Sequence, residues 1–182
     1  MVGAFLTQRT KWSNVERAIY NLKQAGLLEP YDLARADIIE LEEKIRCCGF
    51  YRQKAARLRN VSQFLIKNDI NELFDLPTDQ LRKVLLSLDG VGNETADSIL
   101  LYAARKPKFV IDAYTMRIMA CIGVEGNYRK LQELFESVLP PDVNMFKEYH
   151  ALIVEYGKSY CGKKRCKECI LIMDHRKGAI HG

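Results

Sequence analysis

The chain has 182 residues, of which 28 are lysine or arginine and 23 are aspartate or glutamate, giving a formal net charge of +5. A hydrophobic fraction of 48% with mixed charges predicts a globular protein that buries a core, and it excludes an intrinsically disordered chain. No apolar run approaches the roughly 18 residues that span a bilayer, and the opening residues lack a signal-peptide pattern. We expect a cytoplasmic protein whose weak positive charge favours an anionic partner.

Helical patterns follow one another along the chain, and the nearest approach to a strand is the short segment "KFVID", residues 108–112. Ser13 is predicted to cap the first clear helix, with Glu16 three residues later in a capping-box arrangement. We therefore predict an all-α fold with many short helices. The predicted helices span residues 13–28, 36–49, 51–68, 77–88, 95–105, 112–123, 131–139 and 145–161.

A Gly-Val-Gly turn joins two of these helices within "LLSLDGVGNETADSILLYA", residues 85–103. Gly90 and Gly92 permit a positive φ, and they let another backbone approach closely because they carry no Cβ. Unpaired N–H groups and the positive dipole end of the following helix suit a phosphate. On the turn alone, a phosphate site and an ordinary helix–helix turn are equally good interpretations.

Asp112 follows the apolar run "FVI" and precedes a predicted helix. Aspartate is a common N-cap, so capping is the ordinary interpretation of this position. A carboxylate at the start of a helix, behind an apolar wall, also suits catalysis.

Five stretches in order resemble the helix-hairpin-helix DNA glycosylases of the endonuclease III superfamily, over about residues 2–169. The hairpin "LDGVGNETA" and the segment "IDAYTMR", with Asp112 and Arg117 in register, match the family's central motifs. Upstream, "GAFLTQRT" and "CCGFYRQKAARL" resemble its Q-x-T and glycine-aromatic segments. Downstream, "HALIVEYGKSYC" resembles the helix that leads into its cysteine loop.

The resemblance implies a two-lobed helical fold, called HhH-GPD, with the active-site cleft between the lobes. One lobe is expected at residues 14–125, with the helix-hairpin-helix at about 78–105. The second is expected to combine residues 1–13 with 126–182, including a cysteine loop at 161–175. The family usually has another helix before "GAFLTQ", so a truncated start or a smaller second lobe is expected.

The resemblance also implies an enzyme that flips a damaged nucleotide out of duplex DNA and cleaves its N-glycosidic bond. Asp112 takes the role of the carboxylate that stabilises an oxocarbenium-like transition state. In bifunctional members a lysine at the position of Glu94 forms a Schiff base, which a carboxylate cannot do. A monofunctional enzyme is therefore predicted, in which Glu94 favours the positive end of its helix.

The segment "LTQRTKWSNVERA" is most similar to the 3-methyladenine glycosylase branch of the superfamily. There an aromatic residue at the position of Trp12 stacks on the flipped base. A cationic methylated purine on an indole face gains roughly 0.5–2 kcal/mol. The alternative is that Trp12 is a packing residue.

Further DNA contacts are implied along the chain. Gln8 matches the residue that fills the gap left by the flipped base, and Phe50 matches the wedge between base steps. Lys54 is expected to meet phosphate, with a solvated helix face as its alternative. The hairpin residues expected to grip phosphates are Gly90, Val91, Gly92 and Thr95.

The cysteine loop departs from the family pattern. Many members bind a [4Fe–4S] cluster through C-x6-C-x2-C-x5-C, whereas this chain has C-x4-C-x2-C followed by a histidine. A histidine-ligated cluster, a Cys3His zinc site and an empty loop are open, and we favour the absence of an intact cluster. The candidate ligands are Cys161, Cys166, Cys169 and His175.

The prediction is thus a nucleoid-associated, monomeric glycosylase that removes an alkylated purine from double-stranded DNA, with no membrane partner. One rival is a bifunctional enzyme that uses another lysine, such as Lys158, or that acts on oxidised or mismatched pyrimidines. The other is a non-catalytic helix-hairpin-helix DNA-binding module.

Overall fold

A computed structural model of the chain describes residues 1–171, and within that range the regular structure is helical, with no β-strand. The predicted all-α class is confirmed. No helix among these residues is both long and apolar enough to cross a bilayer. The α-helices are Val2–Leu6 (α1), Trp12–Gln24 (α2), Pro30–Arg35 (α3), Ile38–Ile45 (α4), Tyr51–Lys67 (α5), Ile70–Asp75 (α6), Thr78–Leu86 (α7), Asn93–Ser98 (α8), Ala113–Cys121 (α9), Tyr128–Val138 (α10) and Val143–Ser159 (α11).

The chain groups into two compact units, residues 1–104 and residues 105 onward. The predicted lobes differ from this grouping in where they put residues 1–13 and 105–125, and they stay a prediction.

In the first unit, α5 packs against α1, α3 and α4, and α2 packs against α1 and α4. Burying one large aliphatic or aromatic side chain contributes about 1.5–3 kcal/mol, so this core supplies most of the stability of the unit. The largest fully buried side chains here are Phe5, Leu6, Leu22, Leu41, Ile45, Leu81, Ile99, Leu100 and Leu101.

The sequence patterns do not predict α3 or α6, because six residues are too few to display a helical period. Local signals for both exist nonetheless. Pro30 occupies the first turn of α3, where its missing N–H is not needed. The Asp69 carboxylate caps α6 by accepting from the backbone N–H of Asn71 at 2.7 Å.

In the second unit, the segment "KFVI" before Asp112 is outside regular secondary structure, and side chains of α10 bond its backbone. Glu136 accepts from the N–H of Phe109 at 2.9 Å, and Gln132 donates to the carbonyl of Phe109 at 2.6 Å. The hydroxyl of Tyr128 accepts from the N–H of Ile111 at 3.4 Å. Side chains of α10 thus satisfy backbone N–H and C=O groups of this segment, which fixes the chain where it leads into Asp112.

Helices α9 and α11 of the second unit pack closely at Gly157. A Cβ built on Gly157 would lie 2.5 Å from Cδ1 of Tyr114 and 2.7 Å from its Cβ. Real Cβ atoms do not approach that closely, so the contact requires glycine.

We expect Gly157→Ala to lower the free energy of unfolding by about 1–3 kcal/mol, because the added methyl group must push the Tyr114 ring aside. Denaturant unfolding followed by circular dichroism measures the effect. Glu155→Ala, an exposed position on the same helix, is the matched control. Equal unfolding midpoints for the two variants would contradict the close packing.

Candidate nucleic-acid interface and catalytic carboxylate

The hairpin between α7 and α8 uses its two glycines differently. Gly90 has φ +74°, in the left-handed region that favours glycine. Gly92 has φ −90° and ψ −179°, so it is extended and does not use a left-handed conformation. No atom lies within 4 Å of a Cβ built on Gly92, which leaves open space over the backbone. Close approach by another backbone is therefore available at Gly92, while its predicted contact with DNA stays a prediction.

Gly90 is covered by the side chain of Arg57 from α5. A Cβ at Gly90 would lie 2.1 Å from Nε of Arg57. Glycine is therefore required here both for its φ and for the arginine that packs on it.

The first turn of α8 presents backbone N–H groups without a side-chain cap. Gly92 is the N-cap and has no side chain to accept a bond, and the first intrahelical bond runs from Ala96 N to Gly92 O at 2.9 Å. The N–H groups of the three preceding residues therefore have no acceptor within the helix. Glu94 lies exposed in this turn, where a negative charge gains about 0.3–1 kcal/mol from the helix dipole.

A bidentate ion pair fixes α8 against α7. Nε of Arg82 lies 2.6 Å from Oδ1 of Asp97, and Nη2 lies 3.1 Å from Oδ2. The same Nη2 donates to Oδ1 of Asn93 at 3.0 Å, at the start of α8. The side chain of Asp97 is completely buried. No motif in the sequence predicts this pair, although a charge on the core-facing side of a helical pattern is a usable signal.

Gln8 joins the segment after α1 to the hairpin. Its Nε2 donates to the carbonyl of Gly90 at 3.1 Å and to Oγ1 of Thr95 at 2.9 Å, and its Oε1 accepts from Nη1 of Arg57 at 3.2 Å. Thr95 is buried, and so is Val91. The described structure thus places Gln8 beside the hairpin, while its predicted insertion into DNA stays a prediction.

Lys54 is neither exposed for the predicted phosphate contact nor on a solvated helix face, which was the alternative. Its side chain is buried, and Nζ donates to Leu6 O at 3.0 Å, Thr10 Oγ1 at 2.6 Å and Cys48 O at 2.9 Å. Burial lowers the pKa of Lys54, yet three acceptors match the three donors of an ammonium group. With every donor engaged inside the protein, Lys54 is not a phosphate ligand here, and the predicted DNA contact is replaced by a structural role.

Two aromatic side chains of the first unit are exposed. Phe50 is 61% exposed, has φ 47° and stands as N-cap of α5. Trp12, the first residue of α2, is 49% exposed. Exposure on this scale leaves part of each side chain available to a ligand.

Asp112, in the second unit, is the N-cap of α9. Its Oδ1 accepts from the backbone N–H of Thr115 at 2.7 Å and from the Thr115 hydroxyl at 2.8 Å. Among the described residues no hydrogen bond reaches Oδ2. Burial lowers the pKa of His150 on α11, and the negative charge of Asp112 acts in the opposite direction. A fixed carboxylate oxygen and a nearby histidine that is readily kept neutral are therefore arranged together.

The cysteine loop is described only in part. Cys169 is buried, with its sulfur 3.1 Å from the hydroxyl of Tyr156. The side chain of Cys166 and all of His175 lie outside the described residues. Within the part that is described, no group of three or more histidine, cysteine, aspartate or glutamate side chains is arranged to hold a metal ion. The expected absence of an intact cluster stays a prediction, because two of the four candidate ligands are not described.

Comparison with known proteins places this geometry in a family. Residues 2–141 match the family model of the HhH-GPD superfamily base excision DNA repair protein. The chain therefore belongs to the HhH-GPD superfamily, and its class is that of the base excision repair DNA glycosylases.

Individual relatives agree with that class. A Methanocaldococcus jannaschii protein named as a candidate DNA repair glycosylase is 50% identical over 177 residues, covering 93% of this chain and 80% of its own. Endonuclease III of Thermotoga maritima is 30% identical over 175 residues, with coverage of 94% and 78%. The solved structure of H. pylori 3-methyladenine DNA glycosylase (MagIII), bound to 1,N6-ethenoadenine, superposes with a TM-score of 0.76 at 31% identity, covering 87% of this chain and 83% of that one.

We expect Arg82→Met to lower the free energy of unfolding by about 3 kcal/mol or more, because it removes the cation beside a fully buried carboxylate. Asp97→Asn should cost less, since it leaves a neutral amide in the same space. Denaturant unfolding of both variants shows which of them loses more free energy of unfolding. The affinity of each variant for duplex DNA shows whether the hairpin is altered.

The matched control is Arg129→Ala, which breaks an exposed ion pair with Glu133 and should leave the unfolding midpoint unchanged. If Arg82→Met behaved like this control, the ion pair would not fix the hairpin.

Proposed function

We propose that this protein is a monofunctional DNA glycosylase that removes an alkylated purine, such as 3-methyladenine, from double-stranded DNA. The observation that carries the proposal is the carboxylate of Asp112, held through one oxygen by Thr115 while the other oxygen accepts no bond within the described structure. Such a group is oriented before substrate arrives, which is the condition for electrostatic stabilisation of a developing charge.

The chemistry follows from that carboxylate. The bond between C1′ and the base nitrogen breaks with its electron pair going to the base, and positive charge develops on the sugar. Asp112 stabilises that charge, water adds to C1′, and the proton of the water passes to the carboxylate or to solvent. An alkylated purine that carries a positive charge departs as a neutral base, so it needs less help from the enzyme than an undamaged base does.

The identity of Glu94 supports the monofunctional assignment. This residue occupies the first turn of α8, at the position where bifunctional relatives are expected to carry the lysine that attacks C1′. A carboxylate forms no imine with the sugar, so base release leaves the strand intact.

Trp12 supports the choice of an alkylated purine. Its ring is half exposed, and a flat cationic base on an indole face gains a cation–π attraction. The 31% identity with the H. pylori 3-methyladenine glycosylase favours the same substrate class.

A bifunctional glycosylase and lyase is the second candidate, favoured by the 30% identity with T. maritima endonuclease III. Lys158, exposed in the last turn of α11, is a lysine of the kind such an enzyme would need.

We expect wild-type protein to produce strand breaks in a duplex carrying a methylated purine only after alkali treatment, because the abasic product is intact until then. Asp112→Asn should slow base release by roughly 100-fold or more. Asparagine caps a helix as well as aspartate does, so this variant keeps the fold and its affinity for DNA.

A gel assay on duplexes with methylated purines, uracil or oxidised pyrimidines, run with and without alkali, measures both expectations. Breaks without alkali, or an imine trapped by borohydride, would establish the lyase and reject the role given to Glu94. Unchanged turnover in Asp112→Asn would remove Asp112 from the mechanism.

We expect Trp12→Ala to slow excision of a cationic methylated purine about 10-fold, and to slow excision of a neutral modified purine less, because only the cation gains from the ring quadrupole. Single-turnover rates on matched duplexes give the ratio. Trp12→Phe retains an aromatic ring with a weaker cation–π attraction, so its excision rate should lie between those of wild type and Trp12→Ala. Equal effects on cationic and neutral bases would leave Trp12 as a packing residue.

A further inference from the structure

Two neighbouring turns of the first unit carry unusual backbone conformations. Residues 8–10 and residues 48–50, which we call the paired tips, each contain a non-glycine residue with positive φ: Arg9 at 54° and Phe50 at 47°. Only four non-glycine residues in the described chain have positive φ, so half of them lie on the paired tips. Non-glycine residues in this backbone conformation are strained. They persist only where the surroundings hold them, most often at functional sites.

The residue that holds both tips is Lys54. Its ammonium group bonds Leu6 O before the first tip and Thr10 Oγ1 at its end, and it bonds Cys48 O at the start of the second tip. The Thr10 hydroxyl also donates to Cys48 O at 2.5 Å, which joins the two tips directly. A shift of either tip relative to the other would leave a buried cation without an acceptor, which is strongly unfavourable.

The side chains that the paired tips present suit an unstacked duplex. Phe50 offers an exposed ring that can enter a base step, and Arg9, on the other tip, is exposed with a charge that suits phosphate or a base edge. The first tip is also bonded to the hairpin, through Gln8 to Gly90 O and Thr95 Oγ1. The backbone that can hold phosphate and the tips that can enter the stack are therefore one connected structure.

We propose that Lys54 is a positioning residue that holds the tips at Arg9 and Phe50 as one rigid unit for insertion into DNA. This assignment rests on the proposed function, because it describes how the same protein opens the duplex. The physical reason is that unstacking base pairs costs free energy. A side chain such as Phe50 can separate them only if the turn that carries it is held rigidly.

The test uses 2-aminopurine, whose fluorescence rises on unstacking, placed beside a stable abasic analogue in a duplex. Wild-type protein should raise the fluorescence. Lys54→Met should bind the duplex with similar affinity. Its fluorescence rise should be smaller than that of wild type by about fivefold or more, because the tips are no longer held in place. Arg52→Met removes an exposed charge from the same helix without touching the tips and should behave like wild type.

A double-mutant cycle separates positioning from general stability. If Lys54 acts through the wedge, Phe50→Ala should remove the rise in the wild-type background and add nothing in the Lys54→Met background. Additive losses, or a full rise in Lys54→Met, would overturn the proposal.

A gentler variant covers the case in which Lys54→Met fails to fold. Thr10→Val removes the hydroxyl between the tips but leaves Lys54 two acceptors, Leu6 O and Cys48 O, so it should be folded by circular dichroism and give a reduced rise. A folded Thr10→Val with the full wild-type rise overturns the proposal.

The outcome is independent of base release. A fluorescence rise in wild-type protein that Lys54→Met loses, with no base released from any duplex, would reject the proposed glycosylase and support the role of Lys54. Wild-type protein that releases base without any fluorescence rise would reject the paired tips as the opening device and support the glycosylase.

Discussion

The buried ammonium of Lys54 is the constraint around which the first unit is arranged. An unpaired cation in an apolar interior costs several kcal/mol, so its three acceptors must stay where they are. Those acceptors come from the end of α1, from the segment before α2 and from the turn before α5. One side chain thereby sets the position of residues 6–10 relative to the turn at Cys48, which is far from them in sequence, and the core of α2, α4 and α5 packs behind them.

The hairpin depends on a second arrangement of the same kind. Arg82 and Asp97 place a full ion pair at the junction of α7 and α8, and Arg57 closes over Gly90. Buried ion pairs are weak evidence for stability, but they define geometry sharply because alternatives leave a charge unpaired. The proposed function gives this definition a use, since amides at the start of α8 can hold a phosphate only if they stay aimed at one place.

In the second unit, Asp112 lies at the end of a segment that has no regular secondary structure and is held by side chains. Glu136, Gln132 and Tyr128 bond the backbone of that segment, and Phe109 stacks on Phe135 with ring centroids 4.3 Å apart. Asp112 then starts α9 with one oxygen already bonded to Thr115. Capping and catalysis are compatible uses of one carboxylate, because each needs only one of its two oxygens.

The sequence by itself determined the all-α class, most of the helices, the hairpin and the family, because helical periodicity, glycine spacing and motif order are local properties of the chain. It also predicted Asp112 at a helix start. Tertiary structure decided the rest. Helix α2 begins at Trp12 rather than at the predicted cap Ser13, and Lys54, which looks like one of several surface cations on α5, is buried. A periodic pattern cannot reveal that three backbone and hydroxyl oxygens from distant segments converge on one ammonium group, since that convergence exists only once the helices have packed.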